Sequence, residues 1–344
     1  MQSKQWNVRG DSLEYSEKPV PALGDNEVLV KLQGASLNFR DILITQGKYP
    51  FPLQPGVIPG SDGAGTVLAI GKRVTRFSPG DHVVTIINQH FLAGHQDERT
   101  LQSGLGASLD GTFRTVGAFD EQGLVAMPAC LSFVEASTLS CAGLTAWNAL
   151  FGLPGRKVQA GDWLLTLGTG GVSLFAVQLA KTVGARVIST TSSEEKANIL
   201  RKLGADHVIN YRESPDWGLV AKQLTGGVGV DMVVEVGGAT TLAQSMASLR
   251  MDGMMSVVGF VGGDDTPTAM PTLLDCWMNL FTARGVSVGN RLQMEEMCRA
   301  IEANPDKLRP VVDERVFRLE QLKEAYEYLA GGHHKGKVCI DISI

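Results

Sequence analysis

At 344 residues the chain is long enough for two domains, each burying its own core. Hydrophobic residues make up 44% and charged residues 19%, the balance of an ordinary globular protein rather than a disordered chain. A net charge of −5 gives no reason to expect nucleic acid or an anionic membrane as partner, and no apolar run reaches the ~18 residues of a membrane span.

Met1 to Gly10 carries Lys4, Trp6 and Arg9 with no apolar core, so no secretory signal is expected. The five cysteines, Cys130, Cys141, Cys276, Cys298 and Cys339, form no C-x-x-C pair. An odd, dispersed set suits reduced thiols, and a cytoplasmic enzyme is the expectation. Residues 1–130 read as β-rich: 27–32 alternates with period two, and 65–71 and 81–86 follow between Gly and Pro turns.

From Ser132 the rhythm changes. Apolar strands at 163–167, 186–190, 207–211, 230–236 and 254–258 alternate with helical patterns, which implies an α/β unit with a parallel sheet covered on both faces. The first strand is the most telling. It runs into Gly168, Thr169, Gly170, Gly171, Val172 and Ser173, and then into a helical stripe of Val172, Phe175, Ala176, Leu179 and Ala180. Strand, glycine turn and helix make half of a dinucleotide-binding unit, in which glycines let the backbone approach a pyrophosphate at the helix N-terminus. Ser173 stands where the third glycine of G-x-G-x-x-G would be, so the pattern alone also suits a strand–helix turn without ligand. The strand 186–190 closes the unit.

The next helix has Ser192 and Glu195 at capping-box spacing and a stop at Gly204. An NAD enzyme would normally place Asp or Glu before this helix, to accept from the ribose 2′-hydroxyl. Here the chain reads Ser189-Thr190-Thr191-Ser192-Ser193, with Thr191 in the usual acid's place. No carboxylate repels a 2′-phosphate, so NADPH is the expected cofactor. Lys196 supplies charge, and Tyr211, ending the third strand, packs on the adenine or bonds the phosphate. The alternative is that Ser192 only caps its helix and Lys196 is surface charge. Past 285 come helices at 293–303 and 319–330 and a last strand at 337–342, which suggests that the chain returns to finish its first domain. The expected division is therefore 1–130 with 285–344, and 131–284.

Eight motifs in order carry a resemblance. They are Gly34-Ala35-Ser36-Leu37-Asn38-Phe39-Arg40-Asp41, Pro59-Gly60-Ser61-Asp62-Gly63-Ala64-Gly65, Phe77-Ser78-Pro79-Gly80-Asp81-His82-Val83 and Gly143-Leu144-Thr145-Ala146-Trp147, then the Gly168 turn, Leu203-Gly204-Ala205-Asp206, Asn210-Tyr211-Arg212 and Val258-Gly259-Phe260. Over nearly its whole length the chain resembles the medium-chain dehydrogenase/reductase superfamily, and within it the zinc-independent quinone oxidoreductase branch. The resemblance implies a GroES-like β-rich catalytic domain, a Rossmann domain with a doubly wound parallel sheet, a cleft between them and a homodimer. The spacing of Ser192, Lys196 and Tyr211 also resembles the S-K-Y arrangement of NADPH-dependent quinone oxidoreductases.

Alcohol dehydrogenases of this family hold catalytic zinc with a Cys, a His and a later Cys, leaving an open position that polarises the substrate oxygen. In this sequence Asn38 occupies the first position and Ser61 the second, Asp62 replaces a Glu, and only Cys141 remains. The four-cysteine lobe of zinc-containing relatives is missing between 88 and 118. No metal is therefore expected, and the adjacent His333 and His334 read as solvated or cofactor-adjacent. Without a Lewis acid the expected acceptor is a small molecule already activated: a quinone, enone, enal or enoyl thioester.

By resemblance, Asn38 and Thr145 lie near the nicotinamide as candidate catalytic residues, and Gly259, Phe260 and Val261 line it. Many relatives have a Tyr where this chain has Leu43, which leaves water, Thr145 or Tyr49 to deliver a proton. Asp41 and Asp62 read as structural hydrogen-bonding groups in preference to acid–base catalysts. Cys141 is a reactive thiol or, preferably, a packing residue. The long polar loop 88–119 is expected to help close the substrate cleft. Competing readings are an NADP-dependent alcohol or aldehyde dehydrogenase, a biosynthetic tailoring reductase, and a non-catalytic NADPH-binding protein.

Overall fold

The structure is a computed structural model that describes residues 1–261 and 270–343. It divides into two compact units, Met1–Leu144 with Asn290–Ile344, and Thr145–Gly289. The expected divisions at 130/131 and 284/285 lie a little earlier in the chain than these two.

In the second unit, six strands form one parallel sheet in the order His207–Asn210, Arg186–Thr191, Trp163–Leu167, Val230–Glu235, Leu249–Val257 and Thr282–Gly285. Numbered along the chain from Trp163–Leu167, the order is 3-2-1-4-5-6, that of a doubly wound dinucleotide-binding sheet. Its central strands are continuous apolar runs because helices cover both faces: Leu164, Leu165, Val187, Ile188, Val233 and Val234 are completely buried. The direction of the strand order reverses between Trp163–Leu167 and Val230–Glu235. Ligands of such sheets bind beyond the carboxyl ends of the strands at that switch point.

The first unit carries a seven-stranded sheet ordered Phe317–Arg318, Cys339–Asp341, Glu27–Ser36, Asp62–Ile70, His82–Thr85 and Leu124–Ala126, with Val116–Asp120 also paired to Glu27–Ser36. The pairing is antiparallel except between Phe317–Arg318 and Cys339–Asp341, so the C-terminal strand does return to the first domain. A separate hairpin, Gln2–Arg9 with Ser12–Pro19, packs Trp6, Val8 and Leu13 into the same core. The 88–119 segment is built in rather than loose: Leu105, Ala107 and Phe113 are buried in that core. Among the described residues no helix is long and apolar enough to cross a membrane.

Candidate active site

In the second unit, the strand Trp163–Leu167 breaks at Gly168, whose φ of +71° is the left-handed region that a side chain would strain. Its N–H donates to the Thr190 carbonyl at 2.9 Å, which ties the turn to the neighbouring strand. A Cβ added at Gly168 or Gly170 would meet no described atom within 4 Å, so the space over the turn is open. Gly170 is the N-cap of the helix Gly171–Thr182, and the first-turn N–H groups of Gly171, Val172 and Ser173 have no helical acceptor. Buried Thr169 completes the turn. Ser173 explains the missing third glycine: its hydroxyl donates to the Leu167 carbonyl at 2.6 Å and fastens helix to strand. The arrangement can hold a pyrophosphate.

The adjacent strand ends at Thr191, 1% exposed, whose Oγ1 finds no partner among the described residues. An orphaned buried hydroxyl costs ~1–3 kcal/mol, a deficit that a ribose hydroxyl or phosphate would remove. The helix that follows is Glu194–Lys202, and its cap corrects the sequence reading: Ser193, not Ser192, accepts from the Lys196 N–H, at 3.4 Å. The extended backbone of Ser193 (φ −153°, ψ 154°) sets its own hydroxyl over the first turn, so the Ser192–Glu195 capping box does not form. Ser192 stands outside the helix, and Lys196 is half-buried at its third position. Tyr211 lies one residue past the strand His207–Asn210 and donates its N–H to the Thr191 carbonyl at 3.0 Å. A cleft of ≈ 400 Å³ opens beside Thr191, Ser193 and Asn210, where the carboxylate of Glu194 is paired with Arg201 at 2.5 Å.

At the switch point, Glu235 is completely buried and accepts from Gly237 N–H (2.7 Å), Gly238 N–H (2.9 Å), the Thr241 hydroxyl (2.5 Å) and the Ser245 hydroxyl. Gly238, at φ +81°, has no room for a Cβ, which would stand 2.8 Å from Phe260 Cα. Val258 N–H to Glu235 O (2.8 Å) and Val261 N–H to Val236 O (2.9 Å) fix Gly259, Phe260 and Val261 beside this loop. Phe260 and Val261 stay about half exposed, while Thr145 is buried near the start of the helix Leu144–Phe151.

In the first unit, Glu27–Ser36 leads through Asn38 into the helix Phe39–Thr45. Asp41 accepts from the Asn38 N–H at 2.8 Å. It is shut off from solvent, and burial raises its carboxyl to about 6 despite Arg40. Arg40 donates to the Tyr49 hydroxyl at 3.2 Å and to the Leu105 carbonyl at 3.0 Å, so Tyr49 is bound to a guanidinium. Asp62 accepts from the hydroxyls of Ser36 and Ser61, both at 2.8 Å, and pairs with the Lys337 ammonium at 3.3 Å. Lys337, 4% exposed, also donates to the Leu37 carbonyl at 2.6 Å and to Asn38 Oδ1 at 2.5 Å. Asn38 Nδ2 is covered and has no partner among the described residues.

At the three positions that the resemblance assigns to zinc ligands stand Asn38, Ser61 and Cys141, and an amide, a hydroxyl and a single thiol are a poor ligand set for that ion. Burial raises the Cys141 thiol to about 12, with Asp62 adding to it, so with no metal cation beside it the thiol stays protonated at neutral pH and is not a nucleophile. The Lys337 ammonium already sits beside Asn38 and Asp62. Among the described residues no three His, Cys, Asp or Glu side chains gather to hold a metal.

Residues 24–129 match the alcohol dehydrogenase GroES-like domain, and residues 171–303 match the zinc-binding dehydrogenase domain. The fold and the dinucleotide turn define an oxidoreductase of the two-domain, nicotinamide-dependent class. The chain belongs to the medium-chain dehydrogenase/reductase superfamily. It is 45% identical over 334 residues, 96% of each chain, to a zinc-type alcohol dehydrogenase-like protein of Schizosaccharomyces pombe. It is 31% identical over 339 residues, again 96% of each, to the acryloyl-coenzyme A reductase of Metallosphaera sedula. Among solved structures, a putative alcohol dehydrogenase from Sinorhizobium meliloti superposes with a TM-score of 0.90 at 36% identity, covering 99% of both chains.

The structure thus gathers Gly168 to Val172 at one turn, and Thr191, Ser192, Lys196 and Tyr211 at the end of the neighbouring strand. Asn38 lies in the first unit and Thr145 in the second. Sequence reasoning missed Lys337, which it read only as the first residue of a strand; the strand is Cys339–Asp341. No local pattern in the sequence marks it, because its partners Leu37, Asn38 and Asp62 lie far away along the chain. Ser193 and Glu235 were missed too.

Proposed function

We propose that this oxidoreductase is a zinc-independent, NADPH-dependent reductase that adds hydride to an activated C=C bond or a quinone. One observation carries the reading: Asn38 has a buried amide N–H₂ without a partner among the described residues while the Lys337 ammonium holds its Oδ1, at the position the resemblance assigns to the first zinc ligand of metal-dependent relatives. Bound NADPH supplies the hydride. The Gly168–Val172 turn would hold its pyrophosphate, Thr191, Ser192, Lys196 and Tyr211 its adenosine phosphate end, and Thr145 with Gly259, Phe260 and Val261 its nicotinamide. When hydride reaches the β-carbon, charge develops on the acceptor oxygen, and a placed donor there contributes about 3–4 kcal/mol. The α-carbon then takes its proton from water, since Leu43 offers none. An alcohol substrate would instead need a base for its hydroxyl proton, and the Cys141 thiol, raised to about 12, is not one.

A relative named as an acryloyl-coenzyme A reductase supports this chemistry, while relatives named as alcohol dehydrogenases support the alternative. We place the enzyme in the cytoplasm as a homodimer. The test is NADPH oxidation with cyclohex-2-enone and menadione, against NADP⁺ reduction with benzyl alcohol. Enone or quinone reduction is expected, and in the saturated product from the enone, solvent deuterium from D₂O is expected at the α-carbon and not at the β-carbon. Alcohol oxidation with no enone or quinone turnover would overturn the proposal.

A further inference from the structure

The Lys337 ammonium has three N–H donors, and three acceptors use them: the Leu37 carbonyl, Asn38 Oδ1 and the Asp62 carboxylate. None is left for a substrate, so Lys337 can neither protonate nor touch the reacting oxygen. What it does touch is the oxygen end of the Asn38 amide. An amide side chain can be turned over, exchanging Oδ1 with Nδ2, and only one orientation presents an acceptor to a cation. The reversed one would set an N–H₂ group against an ammonium. Asn38's backbone cannot make this choice, because its N–H is spent on Asp41 in capping the helix Phe39–Thr45. Asp62 cannot make it either; it holds Lys337 and two serine hydroxyls.

Resting on the reductase reading above, we propose that Lys337 is a positioning residue that stands in for the missing metal. It locks the Asn38 amide with Nδ2 toward the acceptor oxygen and keeps a fixed positive charge one group behind that donor. Asp62, Ser36 and Ser61 anchor the ammonium. A metal polarises the oxygen directly; this chain passes the charge through an amide. The donor is ready before hydride arrives, so no reorganisation accompanies the charge that develops.

Replacing Lys337 alone would strand the Asp62 carboxylate and could unfold the chain. The variant is therefore Lys337→Met with Asp62→Asn, which removes both charges and keeps the serine contacts. Two measurements are made on it. The first, independent of turnover, is the ¹⁵N–¹H₂ signal of the Asn38 side chain, assigned by its loss in Asn38→Asp. It is expected to move in the paired variant, and an unchanged signal would overturn the proposal. The second is a cycle with Asn38→Ala, using cyclohex-2-enone and menadione. The paired variant should lose kcat ~10- to 100-fold with the KM for NADPH unchanged, and should lose nothing further once Asn38 is Ala. Full kcat in the paired variant, or losses that add, would contradict it. If the wild type reduces neither probe, the reductase reading fails, and the Asn38 signal still decides whether Lys337 governs that amide.

Discussion

Asp41 illustrates how much a single buried carboxyl can set. It accepts one N–H from Asn38, lies 3.8 Å from Arg40 and is fully buried, and burial lifts it from 3.8 to about 6. The folded chain therefore holds this proton more tightly than the unfolded chain. Asp41's contribution to stability is complete below about pH 4 and is lost as pH rises through about 6. Asp41→Asn should flatten the stability profile across that window in denaturant unfolding; parallel profiles for variant and wild type would contradict this. At the adenosine end, Lys196→Ala should weaken NADPH at least ~10-fold, the loss of a charge-assisted phosphate contact, and leave NADH nearly unchanged in fluorescence titration. Equal losses for both cofactors would remove Lys196 as the phosphate reader. The places of Lys196, in the first turn of its helix, and of Tyr211, just past its strand, could be read from sequence because each sits at a fixed distance from a strand end. Lys337 could not. Its partners Asn38 and Asp62 lie 299 and 275 positions away, and no local pattern announces contacts that only folding makes.

Elements differ in how plainly a sequence states them. The strand Trp163–Leu167 was legible to the residue, and Arg186–Thr191 nearly so, because a strand buried on both faces is an apolar run cut off by glycine or by a cap. Thr282–Gly285 was not, since Thr-Ala-Arg-Gly has no strand pattern and becomes one by pairing with Leu249–Val257. The hairpin of Gln2–Arg9 and Ser12–Pro19 was also passed over, its alternation of Trp6, Val8 and Leu13 hidden among charged residues. The cap of Glu194–Lys202 was misplaced by one residue because Ser192 and Ser193 compete for it, and backbone dihedrals decide. Glu235 shows an element end held by one side chain. Glu235→Ala would leave the Gly237 and Gly238 N–H groups and the buried Ser245 hydroxyl without this acceptor, which should cost about 2–4 kcal/mol in denaturant unfolding. A loss below about 0.5 kcal/mol would show that the loop holds without it.

At the scale of the molecule, the helix Leu273–Met278 buries none of its residues. Leu273 is 89% exposed, Leu274 69%, Trp277 75% and Met278 70%, and the nearby strand Thr282–Gly285 forms the edge of the parallel sheet. Apolar surface beside an open edge strand calls for a cover, and a second copy about a two-fold axis meets both needs. We propose that this second copy makes a homodimer: the wild type should sediment as a dimer and Trp277→Glu as a monomer, and a monomeric wild type would contradict the proposal. The central claim is that this superfamily member reduces its acceptor without a metal, through a donor that Asn38 provides and Lys337 holds. The most direct measurement is zinc content and NADPH-dependent enone or quinone reduction on one and the same sample, before and after chelation. The expected result is well under one zinc per chain and a rate that chelation leaves unchanged. Stoichiometric zinc, with the rate lost on chelation and restored by zinc, would contradict it.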